Sequence, residues 1–442
     1  MKRLIDHQLY TWSQQKRFKP LLLRGARQVG KTYAVRELGK KFDIFIEINL
    51  EIDSRARNIF TTDLYPHRIM QDITYLTKQE IIPGKTLLFF DEIQAEPKAL
   101  QALRYFYEII PELHIVAAGS LLDFAIESVG VPVGRVEFLY MYPLSFIEFI
   151  HALGESLLLQ AILEHPVEHP ISAVAHTQLL QLIKEYLAIG GMPEVVNLWA
   201  QEKNASACFK IQQALIRAYK QDFNKYAKKN QIKYLDVLFD NIPRQLGKKF
   251  KYSAIPGEFR KRELAPCIDF LATAGVIHTV YHTAAQGLPL GAQIDPDEFK
   301  IIFLDVALAQ VALGLDITEW LLSTEQSWIN KGEIVEAFIG QELLTYAQPE
   351  QKQQLYYWIR SERTAQAEVD YITTIKQNII PIEVKSGPGS TLKSMHIFLE
   401  KHPTSPFGIR FSIHNYSVYA NIYSYPLYAV SRAIGSETVK LL

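Results

Sequence analysis

The stretch Gly25-Ala26-Arg27-Gln28-Val29-Gly30-Lys31-Thr32 constrains this chain more than any other, because it fits G-x-x-x-x-G-K-S/T in a setting that gives the pattern a use. The apolar triplet Leu21–Leu23 reads as a buried strand running into it, and a helical pattern starts at Thr32. Glycines in such a turn let successive backbone N–H groups point into one concavity, where the helix N-terminus adds partial positive charge. That arrangement suits phosphate. The expected contacts to a nucleotide, read as ATP, therefore run from Gly25 through Ala26, Arg27, Gln28, Val29, Gly30, Lys31 and Thr32 to Tyr33. Lys31 is expected to reach the β- and γ-phosphates, and the Thr32 hydroxyl to ligate Mg²⁺.

About sixty residues later, Leu87-Leu88-Phe89-Phe90-Asp91-Glu92 is an apolar strand ending in two carboxylates. Ligands collect at the C-terminal ends of strands in open α/β sheets, so Asp91 is expected to hold Mg²⁺. Glu92 is placed to polarise an attacking water. A further strand, His114–Ala118, runs into Gly119-Ser120, and Ser120 is the candidate γ-phosphate sensor; the plainer alternative is a helix cap. Arg135 is the candidate for stabilising transition-state charge, in cis or in a neighbouring subunit, with Arg27 and Arg104 as rivals.

Short apolar runs at Leu21–Leu23, Phe42–Asn49, Thr86–Phe90 and His114–Ala118 alternate with amphipathic stretches, notably Thr32–Lys41 and Lys98–Ile110. This pattern predicts an α/β fold with a mostly parallel sheet covered on both faces. At 442 residues one core is not enough. The character changes near Tyr142-Pro143 and again before a strand-rich tail, which gives expected domains at 1–150, 151–325 and 326–442. The formal net charge is zero, so attraction to nucleic acid must come from a local patch. Cys208 and Cys267 match no metal or disulfide spacing, the N-terminus lacks the apolar run of a leader, and no long uncharged apolar run spans a membrane. The expectation is a cytoplasmic protein with no membrane partner.

Gly25–Thr32, Phe90-Asp91-Glu92-Ile93-Gln94, Ala118-Gly119-Ser120, Gly134-Arg135 and Tyr142-Pro143-Leu144-Ser145-Phe146 resemble the prokaryotic AAA-type ATPases that carry an uncharacterised C-terminal domain. Later landmarks extend the resemblance along almost the whole chain. They are Gly190-Gly191-Met192-Pro193, Phe303-Leu304-Asp305, Ala367-Glu368-Val369-Asp370-Tyr371 and Pro381-Ile382-Glu383-Val384-Lys385-Ser386-Gly387. The resemblance implies an AAA+ core, a winged-helix-like module in the middle and a tail similar to the PD-(D/E)xK nuclease fold.

Within the middle, residues 228–262 carry ten Lys or Arg against Asp236, Asp240 and Glu258, a net of +7. Ile232, Leu235, Phe239, Ile242 and Leu246 recur at helical spacing, as do Leu264, Ile268 and Leu271, and Val276–Tyr281 alternates like a strand before the turn Gly287–Gly291. Helix, basic turn, helix and hairpin is the order of a winged helix. Arg260, Lys261 and Arg262 would then open the recognition helix, where DNA is met. The same modules also dock proteins.

In the tail, the nuclease resemblance implies that Asp370 and Glu383 hold a metal ion while Lys385, two residues from Glu383 and so on the same strand face, orients or deprotonates water. Glu383 and Lys385 are thus catalytic candidates, with Glu336 a further carboxylate; an exposed ion pair between Glu383 and Lys385 is the plain alternative. Two functions fit the whole. One is ATP binding and Mg²⁺-dependent hydrolysis driving a module that senses or handles nucleic acid, with DNA and further copies of the chain as partners. The other is a nucleotide-dependent scaffold that docks proteins with slow or no turnover.

Overall fold

Apolar runs at 21–24, 86–91 and 114–118 become the inner strands of a parallel sheet, and their nearly unbroken burial is what a sheet covered on both faces requires. The computed structural model describes residues 1–130, 134–322, 332–360, 367–387 and 392–435. Residues 2–142 with 348–352 form one unit, and residues 143–347 with 353–442 make up the main part of the other. Among the described residues no helix is long and apolar enough to cross a membrane.

The first unit contains α1 (Ile5–Ser13), β1 (Leu21–Arg24), α2 (Lys31–Gly39), β2 (Ile44–Asn49), α3 (Ser54–Asn58), α4 (Pro66–Thr77), β3 (Thr86–Asp91), α5 (Pro97–Ile109), β4 (His114–Ala118), α6 (Leu122–Val129) and β5 (Glu137–Tyr140). Its strands are ordered β2-β3-β4-β1-β5 and all neighbours run parallel. β4 therefore separates β1 from β3. Ile48, Phe60, Phe90, Ile93, Leu100, Leu103 and Phe106 pack into one core between sheet and helices; burying each such side chain contributes about 1.5–3 kcal/mol. Four strands were expected from the sequence, and β5 is a fifth. It is four residues long and mostly half-buried, so it carries little periodic signal.

The second unit begins with helices α7 (Phe146–Ala152), α8 (Ser156–Glu164), α9 (Ala173–Ile189), α10 (Pro193–Glu202), α11 (Ala205–Tyr226), α12 (Ile232–Asn241) and α13 (Lys261–Thr273). It continues through β6 (Ile277–Thr283), β7 (Ile294–Phe303), α14 (Val306–Ala312), α15 (Ile317–Leu322), α16 (Gly332–Thr345), β8 (Leu355–Ile359), β9 (Glu368–Ile375), β10 (Asn378–Lys385), α17 (Lys393–Lys401), β11 (Gly408–Ser412), β12 (Ser417–Tyr419), β13 (Ile422–Pro426) and α18 (Val430–Ala433). Eight strands form one sheet in the order β12-β13-β11-β10-β9-β8-β6-β7. Strand pairing crosses the expected boundary at 325/326: β6 runs parallel to β8, so the β6–β7 hairpin extends the tail's own sheet.

Two of the sequence landmarks are structural. The buried Asp305 carboxylate accepts the Gly191 N–H at 2.7 Å and caps α14 by accepting from Ala307 and Leu308 at 3.0 Å each. Gly191 in turn exchanges backbone contact with Leu144, whose N–H donates to the Gly191 carbonyl at 2.7 Å. Tyr186 donates its hydroxyl to the Leu144 carbonyl, and Glu342 accepts from Phe146 N–H at 2.9 Å. The segment Leu144-Ser145-Phe146 is therefore fixed by buried polar groups at several points, with Ser145 and Glu148 forming the capping box of α7.

Candidate functional site

The loop between β1 and α2 turns on backbone conformations that its residues make accessible. Gly25 has φ 143° and Gly30 φ 100°, and Gln28 is also left-handed at φ 62°. A Cβ on Gly25 would lie 2.2 Å from the Met141 carbonyl oxygen, so no side chain fits there. A residue that sequence reasoning missed braces the loop from behind. The guanidinium of buried Arg3 donates to the Val29 and Tyr142 carbonyls at 2.8 Å each. Nothing in local sequence spacing marks it.

Lys31 opens α2 and turns its ammonium back into the loop, donating to the Gly25 carbonyl at 2.9 Å and the Ala26 carbonyl at 2.8 Å. Burial lowers its pKa to about 8, against the opposing pull of Glu92 and Asp91, and Arg27 pushes it the same way as burial. The Thr32 hydroxyl donates to Asp91 at 3.1 Å, which brings the loop and the acidic strand end together. Asp91 ends β3 directly beside Asn49 at the end of β2, and the Asn49 amide approaches its carboxylate at 3.4 Å. Burial and then the neighbouring Glu92 charge raise the Asp91 pKa. A buried cation donating to loop carbonyls, and a hydroxyl–carboxylate pair beside it, is a donor set that fits a nucleoside triphosphate and Mg²⁺.

Glu92 adopts a left-handed backbone at φ 51°, a strained state for a residue with a side chain. Its carboxylate accepts from the Gln94 amide at 2.5 Å. Gln94 is buried, and its amide oxygen, with no hydrogen-bond partner among the described residues, lies against Gly119. Gln94 thus ties Glu92 to the end of β4, the strand that leads to Ser120. Of the arginine candidates, Arg135 and Arg104 both pair with Glu108 at the surface, at 3.0 and 3.1 Å. Arg27 is the one electrostatically linked to Lys31.

In the second unit, Asp370 and Glu383 do come together. Asp370 accepts the Val384 N–H at 2.7 Å, and Lys385 pairs with Glu383. Glu336 from α16 and Glu368 from β9 join them, and so does Lys300 of β7, which sequence spacing did not reveal. Its ammonium contacts Glu336 at 2.8 Å and also Glu368. Among the described residues no group of three or more His, Cys, Asp or Glu side chains is placed to hold a metal ion. The carboxylates face ammonium groups instead.

All ten basic residues of 228–262 are exposed. Arg260 precedes α13 and Lys261 and Arg262 open it, as expected. Several of the charges have acidic partners: Lys261 pairs with Asp297 at 2.6 Å, Lys248 with Glu333 at 3.6 Å and Lys249 with Glu298.

Comparison with known proteins bears on the first unit. A family model described as an AAA domain matches residues 17–150, and two models described as domains of unknown function match residues 180–319 and 331–430. No curated protein gives a match. Among solved structures the chain is similar to the Walker-type ATPase of Pyrococcus abyssi, at 15% identity and a TM-score of 0.45, over 71% of this chain and 95% of that one. It is also similar to the Aeropyrum pernix Orc1 protein in complex with DNA, at 13% identity, TM-score 0.24, and 71% and 93% coverage. A third is C. elegans PCH-2, at 12% identity, TM-score 0.25, and 45% and 61% coverage. The loop geometry, the acidic strand end, the intervening β4 and the matched domain make the first unit a P-loop ATPase core of the AAA type.

Proposed function

We propose that this ATPase core drives a change of state in the second unit, which engages nucleic acid through its basic segment. The observation that carries the reading is the convergence of Lys31, Thr32, Asp91 and Glu92 at the ends of β1 and β3. In it, Lys31 leaves the Gly25 and Ala26 carbonyls for phosphate oxygens. Thr32 and Asp91, already in contact, hold Mg²⁺, which supplies charge neutralisation at the phosphates. Glu92 takes the proton of the attacking water once Gln94 releases it, and Ser120 reads the γ-phosphate from the end of β4. Arg135 completes the site from a neighbouring copy, where its exposed position leaves it accessible. DNA contact is supported by ten exposed cations within 35 residues of sequence, three of them at the start of a helix followed by a hairpin.

A second reading, a protein-docking scaffold, is favoured by the ion pairs of Lys248, Lys249 and Lys261, which reduce the field available to phosphates. One experiment separates them. Phosphate release is measured with and without duplex DNA for the wild type and Glu92→Gln. The variant should keep nucleotide bound while turnover falls roughly 10²–10⁴-fold, the contribution of a positioned acid–base group. DNA should stimulate the wild type. Turnover of Glu92→Gln at the wild-type rate would overturn the assignment of the base, and nucleotide binding without turnover in the wild type would favour the scaffold.

A further inference from the structure

The nucleotide chemistry makes no direct use of buried Arg3, which reaches the loop through backbone carbonyls. Its guanidinium donates from Nη1 to the Val29 carbonyl and from Nη2 to the Tyr142 carbonyl, at 2.8 Å each, and the residue is 6% exposed. Its own backbone N–H donates to Asp6 Oδ2 at 2.8 Å, which fixes the base of the side chain at the start of α1. Taking a guanidinium out of water is costly, and an apolar side chain would brace a turn at less cost. The charge therefore calls for a reason.

Peptide geometry supplies it. A trans peptide is planar, and its C=O and N–H point in opposite directions. The Val29 carbonyl points at Arg3, so the Gly30 N–H of the same peptide points away from Arg3. The next peptide is fixed by the helix, because the Gly30 carbonyl accepts the Ala34 N–H at 3.0 Å. Flipping the Val29–Gly30 peptide requires Gly30 to change its φ. Gly30 sits at φ 100°, and glycine moves between positive and negative φ at little cost, so the residue itself does little to hold that peptide. Arg3 does. Its other arm keeps it in register: the Tyr142–Pro143 peptide has no N–H, which leaves the Tyr142 carbonyl as its only hydrogen-bonding group. Met141, just before, is pinned as its N–H donates to the Arg24 carbonyl at 2.8 Å. A planar fork on two anchored carbonyls has little freedom to turn.

We propose that Arg3 is a positioning residue for the nucleotide: it holds the Val29–Gly30 peptide so that the Gly30 N–H donates to a phosphate oxygen. Arg3 itself touches no part of the ligand and acts through that one peptide. The inference rests on Gly25–Thr32 as the nucleotide loop. Wild-type ADP affinity in Lys31→Ala would overturn the loop and the proposal together, whereas the Arg3 variants test the positioning alone.

ADP is the probe, because loop N–H groups cradle phosphates that ADP and ATP share. Its binding to the full-length protein is measured by calorimetric titration, alongside steady-state turnover and the Tm of the empty protein. Arg3→Met should weaken ADP roughly 10–100-fold, the contribution of one hydrogen bond to a charged group. KM for ATP should rise by a similar factor with a smaller change in kcat, since the contact is made before and during the reaction. Arg3→Lys keeps a buried cation but offers one ammonium in place of the fork, and its ADP affinity should fall between the two. In protein labelled with ¹⁵N at glycine, ADP should move the Gly30 amide proton downfield in the wild type and not in Arg3→Met. A purely structural brace gives another pattern: Tm and the bound fraction fall, while the folded molecules bind ADP at wild-type affinity. That pattern in Arg3→Met overturns the proposal, as does a Gly30 amide that ADP leaves unmoved in the wild type. Should Arg3→Met fail to fold, wild-type ADP affinity in Arg3→Lys overturns it equally.

Discussion

Lys31 illustrates how one residue can link the empty loop to its ligand through a proton. Burial brings its pKa down from 10.5 to about 8, so above that pH the empty protein holds it largely neutral. Phosphates brought beside it favour the ammonium, and binding above pH 8 must then draw a proton from solvent. The sign for stability is opposite to that of a paired lysine. Between pH 8 and 10.5 the unfolded chain binds the proton more tightly, so the empty protein gains stability as pH rises through that window. ATP affinity, by contrast, should be level below pH 8 and fall by up to about tenfold per pH unit above it. Calorimetric titration at pH 8.5–9 in two buffers of different ionisation enthalpy reads the uptake directly. The wild type should take up a fraction of a proton per ATP and Lys31→Ala none; a wild type without uptake would show that Lys31 enters the complex already charged.

Among the elements, the connection into the second unit's first helix is the most tightly specified. A Cβ at Gly191 would lie 2.2 Å from the Leu144 carbonyl oxygen, a backbone atom that cannot swing aside. Gly191→Ala should therefore break the Leu144 and Asp305 contacts and cost about 1–3 kcal/mol or more, seen as a lower Tm. An equal Tm would mean that the segment repacks freely. Gly190-Gly191 and Leu304-Asp305 stood out in the sequence, but only the fold reveals that they meet each other. The same contrast runs through the molecule. The inner strands β1, β3 and β4 are legible because parallel pairing buries both faces and leaves nearly unbroken apolar runs. The nucleotide loop is legible because its chemistry is local: the turn, the lysine and the hydroxyl are consecutive. Arg3, which braces Val29 across 26 residues, carries no such signal. Lys300 carries none either, since strand pairing and not spacing brings it to Glu336 and Glu368.

For the whole molecule, charge distribution is the feature that relates the two readings of function. The protein is neutral overall, yet residues 228–262 carry a net of +7 with every basic side chain exposed. A neutral body gives no long-range attraction, so DNA affinity would have to come from this segment at close range. Acidic partners on Glu298, Asp297 and Glu333 compete for three of its cations. Surface pairs of this kind are worth at most about 1 kcal/mol each. Phosphates, which release condensed counterions on contact, can displace them. Reversing Arg260, Lys261 and Arg262 to Glu together tests this balance. If the start of α13 meets phosphate, affinity for unrelated duplexes should fall alike, and the slope of log K against log salt should become shallower by up to about 3. ATP affinity should be unchanged, since the nucleotide contacts expected at residues 25–33 and 91–92 do not include these three side chains. A fluorescence titration with labelled duplex across a salt series checks both. An unchanged slope would remove α13 from the interface, and a wild type that fails to bind DNA at low salt would leave the basic segment as a surface for acidic protein partners.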